Sequence, residues 1–304
     1  MQQVKPDAKP EITAGSDVWD AGRDDVSSTL DSLGTRGSRF VRKRWPRPSH
    51  IGVSLVIPAM NEERNIPWVF KRIPACVDEV ILVDGNSVDR TVAVSRALRP
   101  NIRVVGQSRP GKGNALRSGF AAARGDVIVM IDADCSMDPG EIGRFLALLE
   151  EGFDLVKGSR FIDGGGTDDM ERLRRWGNGV LRGLVNGLYG SQFTDLCYGF
   201  SAFRRDSLPA LALASDGFEI ETEIIVRAIK AGLQIAEVPS FEAPRWHGES
   251  NLNTWRDGRR VLRTLLHHRF TRRPSQVAFV PATEPSVLSL APELAALLPL
   301  EAQG

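Results

Sequence analysis

From residue 51 to residue 152 the chain repeats one pattern: a short aliphatic, mostly β-branched run, then a helix-length segment closed by proline or glycine. The runs fall at 51–57, 80–83, 102–105 and 127–131, and the helical segments at 61–73, 88–98, 112–123 and 139–150. Pro74, Pro100, Gly125 and Gly152 close the helical segments. Strands that are apolar throughout are buried on both faces, which indicates a parallel sheet covered by helices on both sides. The crossovers should be right-handed. The expectation is an α/β, Rossmann-like, mostly parallel sheet, which binds ligands at the carboxyl ends of its strands.

Composition narrows the class. In 304 residues, 42% are apolar, enough for a real core and too many for a disordered chain. The net charge of +1 gives no reason to expect a nucleic-acid partner. Cys76, Cys135 and Cys197 are odd in number and lack CxxC spacing. That argues against a disulfide scaffold or zinc ribbon and for a reducing, cytoplasmic compartment. The N-terminus is polar, and no run approaches the ~20 apolar residues of a membrane span.

Residues 1–35 carry seven acids against three bases, followed by the basic run Arg36, Arg39, Arg42, Lys43, Arg44 and Arg47. Residues 1–48 read as a flexible extension, either solvated or in contact with anionic lipid or a partner. Residues 273–304 read as a flexible tail. The domain between them spans 49–272: a first half at 49–152, a second at 153–253, and a basic amphipathic helix at 254–272.

Polar clusters follow the strands. Pro58, Asn61, Glu62 and Glu63 come after the first, Asp84, Asn86, Ser87 and Asp89 after the second, and Asp132-Ala133-Asp134 after the fourth. Each alone admits a turn or cap reading. Together, carboxylates on one rim repel unless a cation or donor groups sit among them. Two acids one residue apart on a strand point the same way. Their hard oxygens suit Mg²⁺ or Mn²⁺, which keeps waters and bridges to phosphate oxygens, so a nucleoside diphosphate would complete the site. The loop 109–114 places Arg109 and Lys112 among glycines before a helix, and can approach phosphates or a ribose closely. No GxxxxGK[ST] is present and no GxGxxG follows the first strand, which argues against Walker-type and dinucleotide sites.

In this order, residues 55–63, 83–91, 111–115 and 132–134 resemble the motifs of family 2 glycosyltransferases of the GT-A fold. Residues 158–161, 195–200, 222–223, 237–239 and 245–250 resemble the polyprenyl- or dolichyl-phosphate sugar synthase branch. The resemblance implies a UDP- or GDP-sugar donor. Pro58, Asn61 and Glu62 would line the nucleotide pocket and Asp84 would contact the base, with Asn86, Ser87 and Asp89 on the same donor side. Lys112 would reach the sugar nucleotide, and Asp132 and Asp134 would hold the metal on the diphosphate. His247 either completes the metal site, as a C-terminal histidine does in many GT-A enzymes, or is structural. Asn251 replaces the lysine usual in the branch, and the membrane-spanning pair of many relatives is missing.

The second half reads as the acceptor side. Residues 164–166 read as a mobile glycine loop. The helix after it carries Arg172, Arg174, Arg175 and Arg182, either as a solvated face or as an anion site. The resemblance implies a lipid-phosphate acceptor, with Arg160, Arg172, Arg175, Glu223, Arg245 and Ser250 as acceptor-side candidates; arginine offers paired donors to phosphate. Gly177, Gly179, Gly183, Gly187 and Gly190 predict bends or close contacts in this helix. Asp195, before an aromatic strand at 198–203, is a cap or a general base. A hydroxyl acceptor needs such a base; a phosphate acceptor, already ionised, needs it far less. Glu219, Glu223 and Arg227 share one helix face and Glu221 lies on another, so Glu223 is an acceptor-side acid or one half of an ion pair.

Helix 254–270 combines Arg256, Arg259, Arg260, Arg263 and Arg269 with Trp255, Val261, Leu262, Leu265, Leu266 and Phe270. It either packs on the domain or lies in a membrane interface. The expected function is inverting, metal-dependent hexose transfer to a polyprenyl phosphate by a cytoplasmic protein peripheral to the inner face of the membrane. The alternative is a soluble enzyme acting on a small-molecule or saccharide hydroxyl.

Overall fold

The computed structural model describes residues 51–248 and 254–271. Strands β1 (Val53–Ala59), β2 (Glu79–Asp84), β3 (Arg103–Gly106), β4 (Val127–Met130), β5 (Leu155–Ser159), β7 (Ser201–Arg204) and β8 (Ile235–Pro239) form one sheet. Its order is β3-β2-β1-β4-β7-β5-β8, and only β7 runs antiparallel to its neighbours. A separate parallel pair joins β6 (Gly166–Thr167) to β9 (Phe241–Glu242). The helices are α1 (Ile66–Lys71), α2 (Thr91–Leu98), α3 (Lys112–Ala122), α4 (Ile142–Glu150), α5 (Arg172–Tyr189), α6 (Leu208–Leu211), α7 (Ile220–Ala231) and α8 (Thr254–Phe270).

This is the α/β architecture that the apolar runs imply. Successive side chains of β1 serve opposite faces. Leu55 and Ile57 join a core layer with Phe145 and Phe200, whose rings stack at 4.2 Å. Val56 joins the other layer with Phe120 and Phe203, which meet edge to face at 5.1 Å. Both faces of the central strands are therefore dry, while the edge strand β3 is only half-buried.

Three local expectations change. The helix expected at 61–73 shrinks to α1, because Asn61 takes a left-handed φ of 62° and residues 61–65 are spent on a loop. The second helix begins at Thr91 rather than 88, leaving Val88 exposed. The glycines of α5 make no close contacts: a Cβ added at Gly177, Gly179, Gly183 or Gly187 would meet nothing within 4 Å. The helix runs without a break from Arg172 to Tyr189 and ends at Gly190, whose φ of 65° fits a left-handed cap. The extension at 1–48, the tail at 273–304 and Ser250 lie outside the described residues.

Candidate active site at the strand ends

Strand order reverses between β1 and β4, and their pairing stops at Val56–Met130 while β1 and β2 stay paired to Ala59–Asp84. A crevice at such a switch point is where open α/β sheets bind ligands. Pro58, half-buried in β1, falls past the last β4 partner, where its missing N–H costs the ladder nothing.

The loops after β1 and β2 are tied together. The Asn61 N–H donates to Ser87 Oγ at 3.0 Å, and the Val88 N–H donates to Asn61 Oδ1 at 2.9 Å. The Glu62 N–H reaches Thr91 Oγ1 at 2.8 Å, and the Glu63 N–H reaches Asp89 Oδ2 at 3.1 Å. Asp84 Oδ1 accepts from the Ser87 N–H at 3.2 Å, and Asn86 is exposed with φ 62°. Asn61, Ser87 and Asp89 thus build the rim. Burial alone would raise the Asp89 carboxyl, but the Thr91 hydroxyl and the backbone donors outweigh it and hold it low.

Inside this rim, acids and cations alternate. Lys112 Nζ lies 2.6 Å from Asp132 Oδ1 and 2.7 Å from Glu221 Oε1. Arg245 Nη2 lies 2.7 Å from Asp134 Oδ2, and its Nη1 lies 3.8 Å from Glu62 Oε1. Burial, then the neighbouring Asp134 and Glu221, push the Asp132 carboxyl up against the pull of Lys112. Burial likewise raises Glu62, with Asp134 and Asp132 adding to it. Lys112 itself is held well above its ordinary value, because Asp132 and Glu221 outweigh its burial. A Cβ on Gly199 would sit about 3 Å from Lys112 Nζ, Asp132 Oδ2 and Glu221 Oε1, so the backbone closes that side of the cluster.

The glycines of the 111–113 loop serve the protein rather than open space. Gly111 has φ 120°, and side chains at Gly111 or Gly113 would collide with the backbone of Ser215 and Asp216. The Asp216 carbonyl accepts from the Gly113 N–H at 2.8 Å and the Asn114 N–H at 3.2 Å, covering the start of α3. Glu223 anchors this loop by accepting from the Ala214 and Ser215 N–H groups at 3.0 and 2.8 Å, while also pairing with Arg227. Glu223 is 1% exposed. Its carboxylate is therefore spent on the backbone of Ala214 and Ser215 and on Arg227, as the ion-pair reading has it.

The acceptor-side expectations need two further corrections. Asp195 is fully buried, and its carboxylate takes paired bonds from Arg160 Nε at 2.7 Å and Nη2 at 3.0 Å, plus Asn178 Nδ2 at 3.1 Å. Burial would raise this carboxyl, but Arg160 outweighs it and holds it low. A buried, paired carboxylate is poorly placed to take a proton from a bound acceptor. Arg160, also buried, spends its remaining nitrogen on Glu242 at 2.9 Å, so it is not open to a phosphate. Glu237 supports the same turn through the Thr194 and Asp195 N–H groups. Arg172 and Arg175 are exposed at the start of α5, and the Arg175 guanidinium lies 5.7 Å from the Phe161 ring.

Arg245, an acceptor-side candidate, lies on Asp134 and Glu62, two acids expected on the donor side. Glu221, which helical spacing puts on a different face from Glu223, is the second partner of Lys112. Its signal was chemical, since a buried lysine beside one aspartate leaves room for a second acid.

The donor set fits a divalent cation that bridges to a diphosphate. Glu62, Asp132, Asp134 and Glu221 against Lys112 and Arg245 leave an excess of two negative charges when all are ionised. Among the described residues, no three His, Cys, Asp or Glu side chains converge as a ready-made cage. Mg²⁺ and Mn²⁺ commonly use one or two carboxylates plus phosphate oxygens and water. His247 is not gathered with the two aspartates; its backbone carbonyl accepts from Asn65 Nδ2 at 3.1 Å.

A groove of about 1040 Å³ lies away from this crevice, along α8, lined by Trp255, Arg259, Leu262, Arg263, Leu266 and Phe270. Among the described residues no helix is long and apolar enough to cross a membrane.

Residues 54–211 match the family model described as Glycosyl transferase family 2. The chain is 33% identical over 233 residues to glycosyltransferase AglJ of Haloferax volcanii, covering 75% of each chain. It is 30% identical to the dolichyl-phosphate hexose transferase of the same organism, covering 70% of this chain and 92% of that one. Among solved structures, glucosyl-3-phosphoglycerate synthase from Mycobacterium tuberculosis, in complex with Mn²⁺, UDP-glucose and phosphoglyceric acid, aligns with a TM-score of 0.58 at 27% identity. That alignment covers 76% of this chain and 88% of that one.

Proposed function

Because the chain belongs to glycosyl transferase family 2, we propose that this glycosyltransferase moves a hexose, with inversion, from a nucleoside diphosphate sugar to a polyprenyl phosphate at a membrane surface. The observation that carries the acceptor class is the buried Arg160–Asp195 pair. With Asp195 committed, the expected general base is absent, and the acceptor best suited to such a site is one already ionised. A phosphate oxygen attacks the anomeric carbon as the bond to the donor diphosphate breaks, and the diphosphate carries away the electron pair. The relationship to a dolichyl-phosphate hexose transferase supports the same reading.

The rim at Pro58, Asn61, Asp84, Asn86, Ser87 and Asp89 would receive the nucleoside. Lys112 would meet the diphosphate, and Asp132 and Asp134 would hold Mg²⁺ or Mn²⁺ against it. The metal, when bound, supplies charge neutralisation for the departing diphosphate. Lys112, fixed by two acids, contributes positive charge there without reorganising. Arg172 and Arg175 are the exposed cations left for the acceptor phosphate.

Helix α8 supplies a surface for a lipid substrate. Trp255 is 73% and Phe270 82% exposed beside exposed Arg259 and Arg263, while Asp257, the acid of this helix, is buried. A basic amphipathic helix of this kind lies in an anionic interface. The test is a panel of UDP- and GDP-hexoses with polyprenyl phosphate and Mg²⁺ or Mn²⁺, following nucleotide release and sugar in the organic phase. Release that needs a soluble hydroxyl acceptor and ignores the lipid would select the alternative enzyme class.

A further inference from the structure

Arg245 lies beyond β9, the last strand, in the segment 243–247 that lies across the donor side of the crevice. Four contacts hold that segment down. The Ala243 N–H donates to the Ser136 carbonyl at 2.9 Å and the Trp246 N–H to the Asp134 carbonyl at 3.4 Å. Asn65 Nδ2 binds the His247 carbonyl at 3.1 Å, and the Trp246 ring lies 5.3 Å from that of Trp68. Arg245 adds the charged contacts, to Asp134 at 2.7 Å and Glu62 at 3.8 Å.

Both Asp134 oxygens are occupied. Oδ1 accepts from the Ser136 N–H at 3.0 Å and its hydroxyl at 2.6 Å, and Oδ2 faces Arg245. A metal on Asp134 would have to sit on an oxygen that already carries a guanidinium. Two cations within a few ångströms repel strongly in a partly buried site. Lys112 is the less exchangeable of the two cations, since it is fixed at the start of α3 between two acids. Arg245 sits on chain outside the sheet.

We propose that Arg245 and the divalent metal are alternative counter-ions of Asp134. The metal–diphosphate pair then enters by displacing Arg245, loosening residues 245–247 and freeing a guanidinium beside the phosphates. This rests on the reading that Asp132 and Asp134 hold a metal.

The test uses the whole chain without a sugar donor. Binding of Mn²⁺ is followed by electron paramagnetic resonance, with and without UDP or GDP, for the wild type, Arg245→Gln and Arg245→Lys. Removing the competing charge should tighten Mn²⁺ binding about tenfold in Arg245→Gln, while Arg245→Lys stays near wild type. Trp246 emission, obtained by difference from Trp246→Phe, should change on saturation of the wild type with Mg²⁺. In Arg245→Gln it should start near the metal-bound value. Unchanged or weaker Mn²⁺ binding in Arg245→Gln, with Mn²⁺ still bound, overturns the exchange and leaves the metal reading standing. A Trp246 signal that ignores saturating Mg²⁺ also overturns the exchange. Absence of Mn²⁺ binding in every variant, even with nucleotide, removes the metal reading and the exchange with it.

Discussion

The Lys112 ammonium touches both carboxylate oxygens of Asp132, at 2.6 and 2.8 Å, so the helix after β3 is fastened to the end of β4. Glu221 takes the same ammonium from the other side at 2.7 Å. Replacing Lys112 by Met leaves two acids facing each other in a nearly closed site. The expected outcome is a loss of about 10²–10³ in donor turnover, together with a lower melting temperature from unpaired buried charge. Initial rates at saturating donor and a thermal melt check both. Turnover within threefold of wild type would remove Lys112 from the donor site.

Asp134→Asn keeps the bond to Ser136 but halves the charge of the aspartate pair. Metal-stimulated turnover should fall about 10²-fold or more. The wild type treated with EDTA should fall to a similar level and recover with Mn²⁺. If the wild type keeps full turnover in EDTA, the metal has no part in the reaction.

Asp195 gives a stability prediction with a definite sign. Its carboxyl is held below the ordinary value near 3.9. It therefore contributes stability that is present above that value and is lost as pH falls through the lower folded value. Asp195→Asn takes one of two carboxylates from the buried Arg160, leaving it Glu242, and should cost about 3 kcal/mol at neutral pH. Its acid denaturation should be shallower than that of the wild type, and the pH dependence of turnover near neutrality should hardly move. Urea melts across pH together with rate profiles measure this. A lost ionisation in the rate profile would restore Asp195 as a base.

Glycines at two positions should respond oppositely. Gly113→Ala drives a methyl into the Ser215 and Asp216 backbone and should cost about 1–3 kcal/mol while raising the donor KM. Gly179→Ala adds a methyl to open helix surface and should stabilise by about 0.5–1 kcal/mol. Chemical melts of the two variants against wild type decide it, and equal effects would contradict the assigned packing.

Helix α8 should bind anionic vesicles at low salt and release them at high salt. Changing Arg259 and Arg263 to Gln, with Trp255 and Phe270 to Ser, should abolish co-sedimentation without lowering the melting temperature. Arg260 is left in place because it pairs with Asp257 at 3.3 Å.

Much of this was legible in the chain, because strands dry on both faces leave an apolar run that cannot be mistaken for a half-exposed strand. The aspartates of 132–134 and the lysine of 111–113 were legible for a related reason: a charge placed at the end of a buried strand needs a partner. What the chain concealed was partnership at long range. Nothing local says that Arg160 is consumed by Asp195 and Glu242, or that Glu223 faces the backbone of Ala214 and Ser215. Helical spacing set Glu221 apart from Glu223 correctly, but periodicity does not report which polar group crosses to another element, as Glu221 does to Lys112. The glycines of α5 misled because glycine marks permitted backbone freedom whether or not a neighbour uses it.

The proposed acceptor nucleophile is a phosphate that needs no base. The direct measurement supplies a radiolabelled nucleotide hexose and Mn²⁺ with either a polyprenyl phosphate or the corresponding polyprenol. Label in the organic phase with the phosphate and none with the alcohol is the result expected from a site whose candidate base is locked to Arg160. Equal transfer to the alcohol, or label only in a water-soluble product, would contradict it.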